Sequence, residues 1–220
     1  LYNPVRIIFG PGEAENIGKY TKEYGTKAML VTYDVHDFFN ELLAKLDKSF
    51  KDAGVTVTEF FKVKPNPRLS DIEEAIDICR KEGIEVIVAL GGGSVMDSAK
   101  AIGAGVKYDG DPWKMFVSRH DKAVAVPPTD TLPTIMIPTK SATSSETNNV
   151  AVATNDRTHE KAYIWAPVLY PKICVMDPCV TATLPKFPMA AGAVDAMSHV
   201  LEAYLNGDQN SPVQDRCHEG

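Results

Sequence analysis

Apolar runs of strand length alternate with amphipathic helical segments along this chain, and this alternation limits the possible folds more than any other feature. Residues 27–32 (KAMLVT) and 85–90 (EVIVAL) are apolar almost throughout, as strands covered on both faces are. Between them, residues 39–50 carry large apolar side chains at helical spacing. The alternation predicts a parallel sheet with helices on both faces, which is the arrangement of an α/β domain.

Further elements follow from the same patterns. Strands are predicted at residues 5–9, 55–61, 132–137, 149–154 and 172–176, with irregular sequence between the last two. A helix is predicted over residues 13–24, and another from a capping box at residues 70–73 to Gly83. From Phe187 onward the pattern is helical. We therefore expect an α/β domain over residues 1–182 and the beginning of an all-helical domain over 183–220.

Composition excludes several classes of partner. Of the chain's 220 residues, 44% are hydrophobic and 24% are charged, which is the composition of a soluble globular protein. The formal net charge is -6. The chain shows no basic stripe for nucleic acid and no apolar run near the roughly 20 residues of a membrane helix. Its four cysteines lack C-x-x-C spacing, so we expect free thiols, a buried one at Cys79, and a cytoplasmic location.

Both ends of the chain suggest that it is a piece of a longer protein. It begins at Leu1 rather than Met, and residues 211–220 predict a helix that has only begun, with Ser211 as its cap.

A triple-glycine turn follows one of the buried strands. Residues 88–100 (VALGGGSVMDSAK) read as a strand, the turn Gly91-Gly92-Gly93, and the start of a helix at Ser94. Glycines let the backbone approach a phosphate, and the free amides and dipole of the helix start then bind it. The alternative is an ordinary tight connection between strand and helix. The pattern is not G-x-G-x-x-G.

Two polar segments follow other strands at the same predicted sheet edge. Asp34 comes directly after residues 27–33, where a carboxylate accepts hydrogen bonds from ribose hydroxyls and repels a 2′-phosphate. It is equally suited to be a helix N-cap, and both roles are compatible. Residues 138–149 (PTKSATSSETNN) are rich in hydroxyls, which suits contact with a nucleotide or a solvated loop with a helix cap.

Asp195 and His199 lie four residues apart in an apolar helical segment, and therefore on one helix face. We expect Asp195 to face a packed interior, where an ionised carboxylate needs compensation. A divalent cation would supply it, and these donors suit Zn²⁺ or Fe²⁺. The alternative is that the two side chains bond to each other or lie at the surface.

Three motifs in this order resemble the iron-containing, or group III, alcohol dehydrogenase family. They are residues 91–103 (GGGSVMDSAKAIG), 138–149, and 191–204 (AGAVDAMSHVLEAY). Residues 111–116 (DPWKMF) and 141–143 (SAT) are most similar to its NAD(P)H-dependent butanol dehydrogenase branch. The resemblance implies a Rossmann-like dinucleotide-binding domain, then an all-helical domain, with the active site in the cleft between them.

The resemblance also implies the site residues. One Asp and three His would bind the metal, with Asp195 and His199 as the first two and the other two beyond Gly220. Gly92, Gly93, Ser94 and Val95 match the pyrophosphate loop. The nucleotide would also contact the following residues: Asn66, Thr139, Thr143 and Lys161. The acidic Asp34 stands where NADP-preferring relatives carry glycine, so we expect NAD(H). Lys140 and Ser144 depart from the family pattern, Ser144 by replacing the usual glycine.

The expected activity is metal-dependent hydride transfer between a nicotinamide cofactor and a short-chain primary alcohol such as butanol, or its aldehyde, in a homodimer. Fe²⁺ is the expected metal, with Zn²⁺ as the alternative, and no side chain of this segment is expected to act as a general base. Two alternatives remain at this stage: another metal-dependent member of the superfamily, of glycerol dehydrogenase type, and an inactive nucleotide-binding fragment.

Overall fold

The computed structural model describes residues 3–34, 39–118, 125–140, 142–182 and 184–205. Within them the strands are β1 (Arg6–Phe9), β2 (Lys27–Tyr33), β3 (Thr56–Val63), β4 (Val86–Gly91), β5 (Thr134–Pro138), β6 (Val150–Asn155), β7 (Glu160–Trp165) and β8 (Ile173–Met176). The α-helices are α1 (Ile17–Lys22), α2 (Asn40–Ala53), α3 (Leu69–Glu82), α4 (Gly93–Lys107), α5 (Pro178–Thr181) and α6 (Lys186–Leu205). The helix predicted for residues 211–220 lies outside the described residues.

Six strands form one parallel sheet in the order β1-β8-β5-β4-β2-β3. Alternate residues of each central strand face opposite layers. Met29 and Val31 of β2 join a core with α3 and α4, whereas Ala28 and Leu30 join a core with α1 and α2. The prediction of a parallel sheet with helices on both faces is therefore confirmed.

The strands β6 and β7 form a separate antiparallel hairpin that covers α4. Its inward side chains are Ala151, Ala153, Ala162 and Ile164, which are buried in the same core as α4. The sequence prediction missed β7, because residues 156–171 were read as irregular. The available signal was short: residues 162–165 (AYIW) are apolar and include two aromatic residues, which favour strands. In the structure the side chains from Glu160 to Trp165 alternate between buried and exposed, with the period of two that strands show.

Two predicted helix starts are corrected. The first helical segment begins with a 3₁₀ turn at Glu13–Asn16 before α1. The capping box at residues 70–73 is wrong, because α3 begins at Leu69 after Arg68, which makes no side-chain cap. Instead the Oδ1 atom of Asp156, in the turn between β6 and β7, accepts a hydrogen bond from the amide of Ser70 at 3.1 Å. A tertiary contact thus supplies the cap that local sequence reasoning assigned to Ser70.

The last described element, α6, presents large apolar side chains to solvent. Phe187 is 84% exposed, and the other exposed apolar residues of α6 are Met189, Val194, Met197, Val200, Leu201, Tyr204 and Leu205. Within the described residues, no helix is both long and apolar enough to cross a membrane.

Candidate functional site

The carboxyl ends of four neighbouring strands bring the predicted nucleotide-binding residues to one edge of the sheet. Asp34 follows β2, Asn66 lies three residues after β3, Gly92 follows β4 and Thr139 follows β5. These four strands are adjacent in the sheet and parallel, so their carboxyl ends share an edge. Open α/β sheets bind their ligands at this edge.

The triple-glycine turn presents backbone amides at that edge. Gly92 is the N-cap of α4, and its carbonyl accepts from the amides of Val95 at 3.0 Å and Met96 at 3.1 Å. Gly93 and Ser94 precede them in the first turn, where amides have no acceptor within the helix. The Gly92 amide donates to the hydroxyl of Tyr33 at 3.0 Å. The amides of Gly93 and Ser94, at the positive end of the helix dipole, can therefore bind an anion.

The loop after β5 closes against this turn. The Thr139 amide donates to the Gly91 carbonyl at 3.0 Å, and Thr139 is buried. A Cβ atom added at Gly93 would lie 2.9 Å from Cγ2 of Thr143, which is closer than any ordinary carbon contact. Glycine at position 93 is thus required by the close approach of Thr143.

Asn66 and Lys161 meet at the side of the same edge, although they are far apart in sequence. The Lys161 Nζ donates to Oδ1 of Asn66 at 3.1 Å, which joins the hairpin to the end of β3. Asn66 has a φ of 61°, in the left-handed region that asparagine tolerates better than most residues. The pair places one cation beside the predicted nucleotide site.

Asp34 is exposed at the end of β2, and its amide donates to the Val63 carbonyl at 3.2 Å. That bond holds the backbone of Asp34 beside the end of β3. Whether Asp34 also caps a helix depends on residues 35–38, which lie outside the described residues.

A buried polar cluster behind the glycine turn was not predicted. It consists of Lys100, Asp97, Ser145 and Asn148, and we call it the Lys100 cluster. The Lys100 Nζ donates to Ser145 Oγ at 3.0 Å, Asn148 Oδ1 at 2.9 Å and the Val150 carbonyl at 2.8 Å. Ser145 Oγ donates to Asp97 at 2.6 Å. The available signal was a lysine flanked by apolar residues within a buried helix.

Burial shifts the pKa values of the charged groups in and beside the Lys100 cluster. Lys100 is completely inaccessible, and its burial lowers the pKa of the ammonium to about 8, against the opposing charges of Asp97 and Glu146. Burial also raises the pKa of the Asp97 and Glu146 carboxyls above their ordinary values. The Glu146 Oε2 atom is buried and has no hydrogen-bond partner among the described residues.

Asp195 and His199 lie on one face of α6, as predicted, but the prediction of a packed interior is wrong. Their side chains are 43% and 58% exposed, because α6 packs only slightly against the other described elements. The Asp195 Oδ1 and His199 Nε2 atoms are 3.6 Å apart.

The chemistry and spacing of this pair fit two positions of a metal site. Two donors each about 2.1 Å from one tetrahedral ion lie about 3.4 Å apart, close to the observed separation. Among the described residues, no group of three or more His, Cys, Asp and Glu side chains is placed to hold an ion. Two donors alone are too few to complete a tetrahedral coordination sphere.

The description "iron-containing alcohol dehydrogenase" belongs to the family model that matches residues 4–178. The match covers most of the chain, including the glycine turn, the loop after β5 and the hairpin. This chain belongs to the iron-containing alcohol dehydrogenase family. The resemblance found in the sequence is confirmed.

Individual relatives agree with the family. A probable NADH-dependent butanol dehydrogenase of Bacillus subtilis is 40% identical over 99% of this chain and 55% of its own length. The crystal structure of NADH-dependent butanol dehydrogenase A from Thermotoga maritima is 37% identical, with a TM-score of 0.88 over 100% of this chain and 54% of that one. The NADPH-dependent aldehyde reductase of Escherichia coli is 30% identical over 100% of this chain and 55% of that protein. The chain spans about half the length of these relatives.

Ser144 shows what a departure from the family pattern does to the backbone. It has a φ of 54°, in the left-handed region that favours glycine. The usual glycine of the family thus suits the backbone conformation here, and Ser144 adopts it at some cost in strain. Lys140, the other departure, is half-buried and lies beside Gly92.

Proposed function

We propose that the protein is a metal-dependent alcohol dehydrogenase that transfers hydride between NAD(H) and a short-chain primary alcohol, or its aldehyde. The observation that carries the proposal is the glycine turn at the carboxyl end of β4, closed by Thr143. Beside it lie the hairpin cation Lys161 and the exposed carboxylate of Asp34. This arrangement suits a dinucleotide, whose pyrophosphate needs amide donors and whose ribose needs an acceptor.

Asp34 supports NAD(H) as the preferred cofactor. Its carboxylate suits a ribose diol and repels a 2′-phosphate. The Bacillus and Thermotoga relatives are named as NADH-dependent, whereas the Escherichia coli relative is named as NADPH-dependent, so family membership alone leaves the choice open.

Asp195 and His199 are the proposed ligands of a divalent ion, Fe²⁺ or Zn²⁺. When bound, such an ion acts as a Lewis acid that polarises an alcohol or carbonyl oxygen. The protein's part would be to orient the nicotinamide: the Gly93 and Ser94 amides would hold the pyrophosphate, beside the Thr143 side chain that packs against Gly93. Names of relatives support butanol or a similar alcohol as the substrate.

Cofactor titrations test the nucleotide part of the proposal. NADH binding to the full-length protein, followed by fluorescence, is expected to be at least tenfold tighter than NADPH binding. Replacing Asp34 by glycine should bring the two affinities closer, by weakening NADH binding and strengthening NADPH binding. Equal affinities in the parent protein, or a preference for NADPH, would refute the assignment of Asp34.

A matched pair of variants on α6 tests the metal part. Asp195→Ala is expected to abolish butanol oxidation and to lower the bound iron or zinc, measured by elemental analysis, while NADH affinity stays unchanged. Glu202→Ala removes another carboxylate from α6 and serves as the control. If Asp195→Ala keeps its metal and its activity, Asp195 has no role as a ligand. If the parent protein binds NADH but neither holds metal nor oxidises butanol, it acts as a nucleotide-binding module.

A further inference from the structure

Lys100 joins three segments of the chain that are separate in sequence. It lies on α4, two turns after the glycine turn. Its ammonium donates to Ser145 and Asn148 of the loop after β5, and to the Val150 carbonyl at the start of β6. Asp97, one turn earlier on α4, strengthens the junction by accepting from Ser145 Oγ at 2.6 Å and from the Val152 amide at 3.0 Å.

Each of the joined segments carries a residue of the proposed nucleotide site. The helix α4 begins with the glycine turn, the loop carries Thr143, and the hairpin carries Lys161. Thr143 lies only two residues before Ser145 in the sequence, so fixing Ser145 limits where Thr143 can lie against Gly93. In the same way, fixing β6 to α4 limits the position of Lys161, which pairs with β6 through Thr154.

Stability alone does not account for this cluster. Replacing a buried ion pair by apolar residues of similar volume is often neutral or stabilising, so such pairs are weak stabilisers. A lysine ammonium offers three donors, and here all three are directed at acceptors on two other segments. The charged groups facing Lys100 are Asp97 on its own helix and Glu146 from the loop, with Lys161 of the hairpin near Asp97.

We propose that Lys100 is a positioning residue that, with Asp97, holds the Thr143 loop and the Lys161 hairpin in the geometry that binds the dinucleotide. Lys100 does not contact the cofactor. This inference rests on the proposed function, since it requires a dinucleotide at the glycine turn.

The test compares two cations of the same domain in the full-length protein, the buried Lys100 and the exposed Arg80, each of which donates to three acceptors. Lys100→Met removes the ammonium but keeps a long side chain. Arg80→Met is the control, because Arg80 of α3 binds the carbonyls of Gly105, Val106 and Tyr108 at the opposite end of α4. Both variants are expected to unfold at a lower temperature. Only Lys100→Met is expected to weaken NADH binding, by tenfold or more. The NADH affinity of Arg80→Met is expected to stay within twofold of that of the parent.

A second variant separates positioning from folding. Lys100→Met combined with Asp97→Asn removes both charges, so the Asp97 carboxylate is not left buried without the nearby ammonium charge that favours its ionised form. We expect this double variant to regain most of the lost thermal stability but not the NADH affinity. Recovery of both together would overturn the positioning role, as would equal affinity loss in Lys100→Met and Arg80→Met.

Ser145→Ala keeps the proposal testable if Lys100→Met does not fold. It removes only the hydroxyl between Asp97 and Lys100, and we expect a threefold or greater loss of NADH affinity. Unchanged affinity would overturn the inference. If the parent protein itself fails to bind NADH, the proposed function fails and this inference fails with it, whereas a parent that binds normally isolates the role of Lys100.

Discussion

Replacing Gly93 by alanine tests the contact that closes the nucleotide site. The new Cβ atom would lie 2.9 Å from Thr143 Cγ2 and 3.2 Å from its Cβ and Oγ1 atoms. Carbon atoms pack comfortably at about 3.5 Å or more, so Thr143 must move by about 0.6 Å. The loop resists that shift, because Ser145 is hydrogen-bonded to Asp97 and Lys100. Overpacking of this kind costs about 1–3 kcal/mol.

The same methyl group should weaken cofactor binding. It occupies the narrow space between the first turn of α4 and the Thr143 loop, and it displaces the loop from the amides of Gly93 and Ser94. We expect NADH affinity to fall by about tenfold, which corresponds to about 1.4 kcal/mol. Urea unfolding and a fluorescence titration with NADH measure the two effects separately.

A double-mutant cycle shows whether Thr143 is the obstacle. Thr143→Ser removes Cγ2, the nearest atom, so Gly93→Ala in that background should cost about 1 kcal/mol less than in the parent. Gly103→Ala is the control: its Cβ would lie 2.8 Å from Thr131 Oγ1, at a point of α4 away from the glycine turn. That variant should alter stability and leave NADH affinity unchanged. Additive effects of Gly93→Ala and Thr143→Ser would refute the reasoning.

Three further predictions concern stability and are measured by urea unfolding. Ser144→Gly removes the strain of a left-handed backbone conformation and should stabilise the protein by about 0.5–1 kcal/mol. A loss of stability would show that the serine side chain makes a compensating contact. Burial raises the pKa of Glu146 above its ordinary value of 4.5, so the folded state holds that proton more tightly than the unfolded chain. The free energy of unfolding should therefore fall as pH rises above 4.5, and this part of the fall should be absent in Glu146→Gln. Parallel curves of unfolding free energy against pH for the parent and the variant would contradict the assignment. Asp177 is buried and accepts hydrogen bonds from three backbone amides, so Asp177→Ala should cost roughly 3 kcal/mol, and a loss below about 1 kcal/mol would show that water replaces the carboxylate.

Local patterns in the chain were sufficient to predict the parallel sheet and the edge at which the candidate nucleotide-binding residues lie. Residues 27–32 and 85–90 are apolar on both faces, and only a sheet covered by helices on both sides buries such strands. The carboxyl ends of parallel strands share an edge, so residues that follow the strands, such as Asp34 and Thr139, had to come together. The glycine turn was recognisable because its three glycines interrupt an otherwise apolar sequence.

Contacts between distant segments could not be derived from those patterns. The partners of Lys100 lie 45 to 50 residues away, in a loop and a strand whose position depends on the packing of the hairpin. The cap of α3 comes from Asp156, which lies 86 residues beyond Ser70. The burial of Asp195 was predicted from helical periodicity, but periodicity identifies only which residues share a face.

The parallel sheet and the residue types at its carboxyl edge were thus encoded locally, in runs of apolar residues and in the glycines that end one of them. The order of the strands was decided only by the tertiary structure. Folding in three dimensions was needed to bring Lys100 to Ser145, Thr143 to Gly93 and Lys161 to Asn66. The physical reason is that backbone propensity acts over a few residues, whereas burial and hydrogen-bond partners arise from segments that meet only in the folded chain.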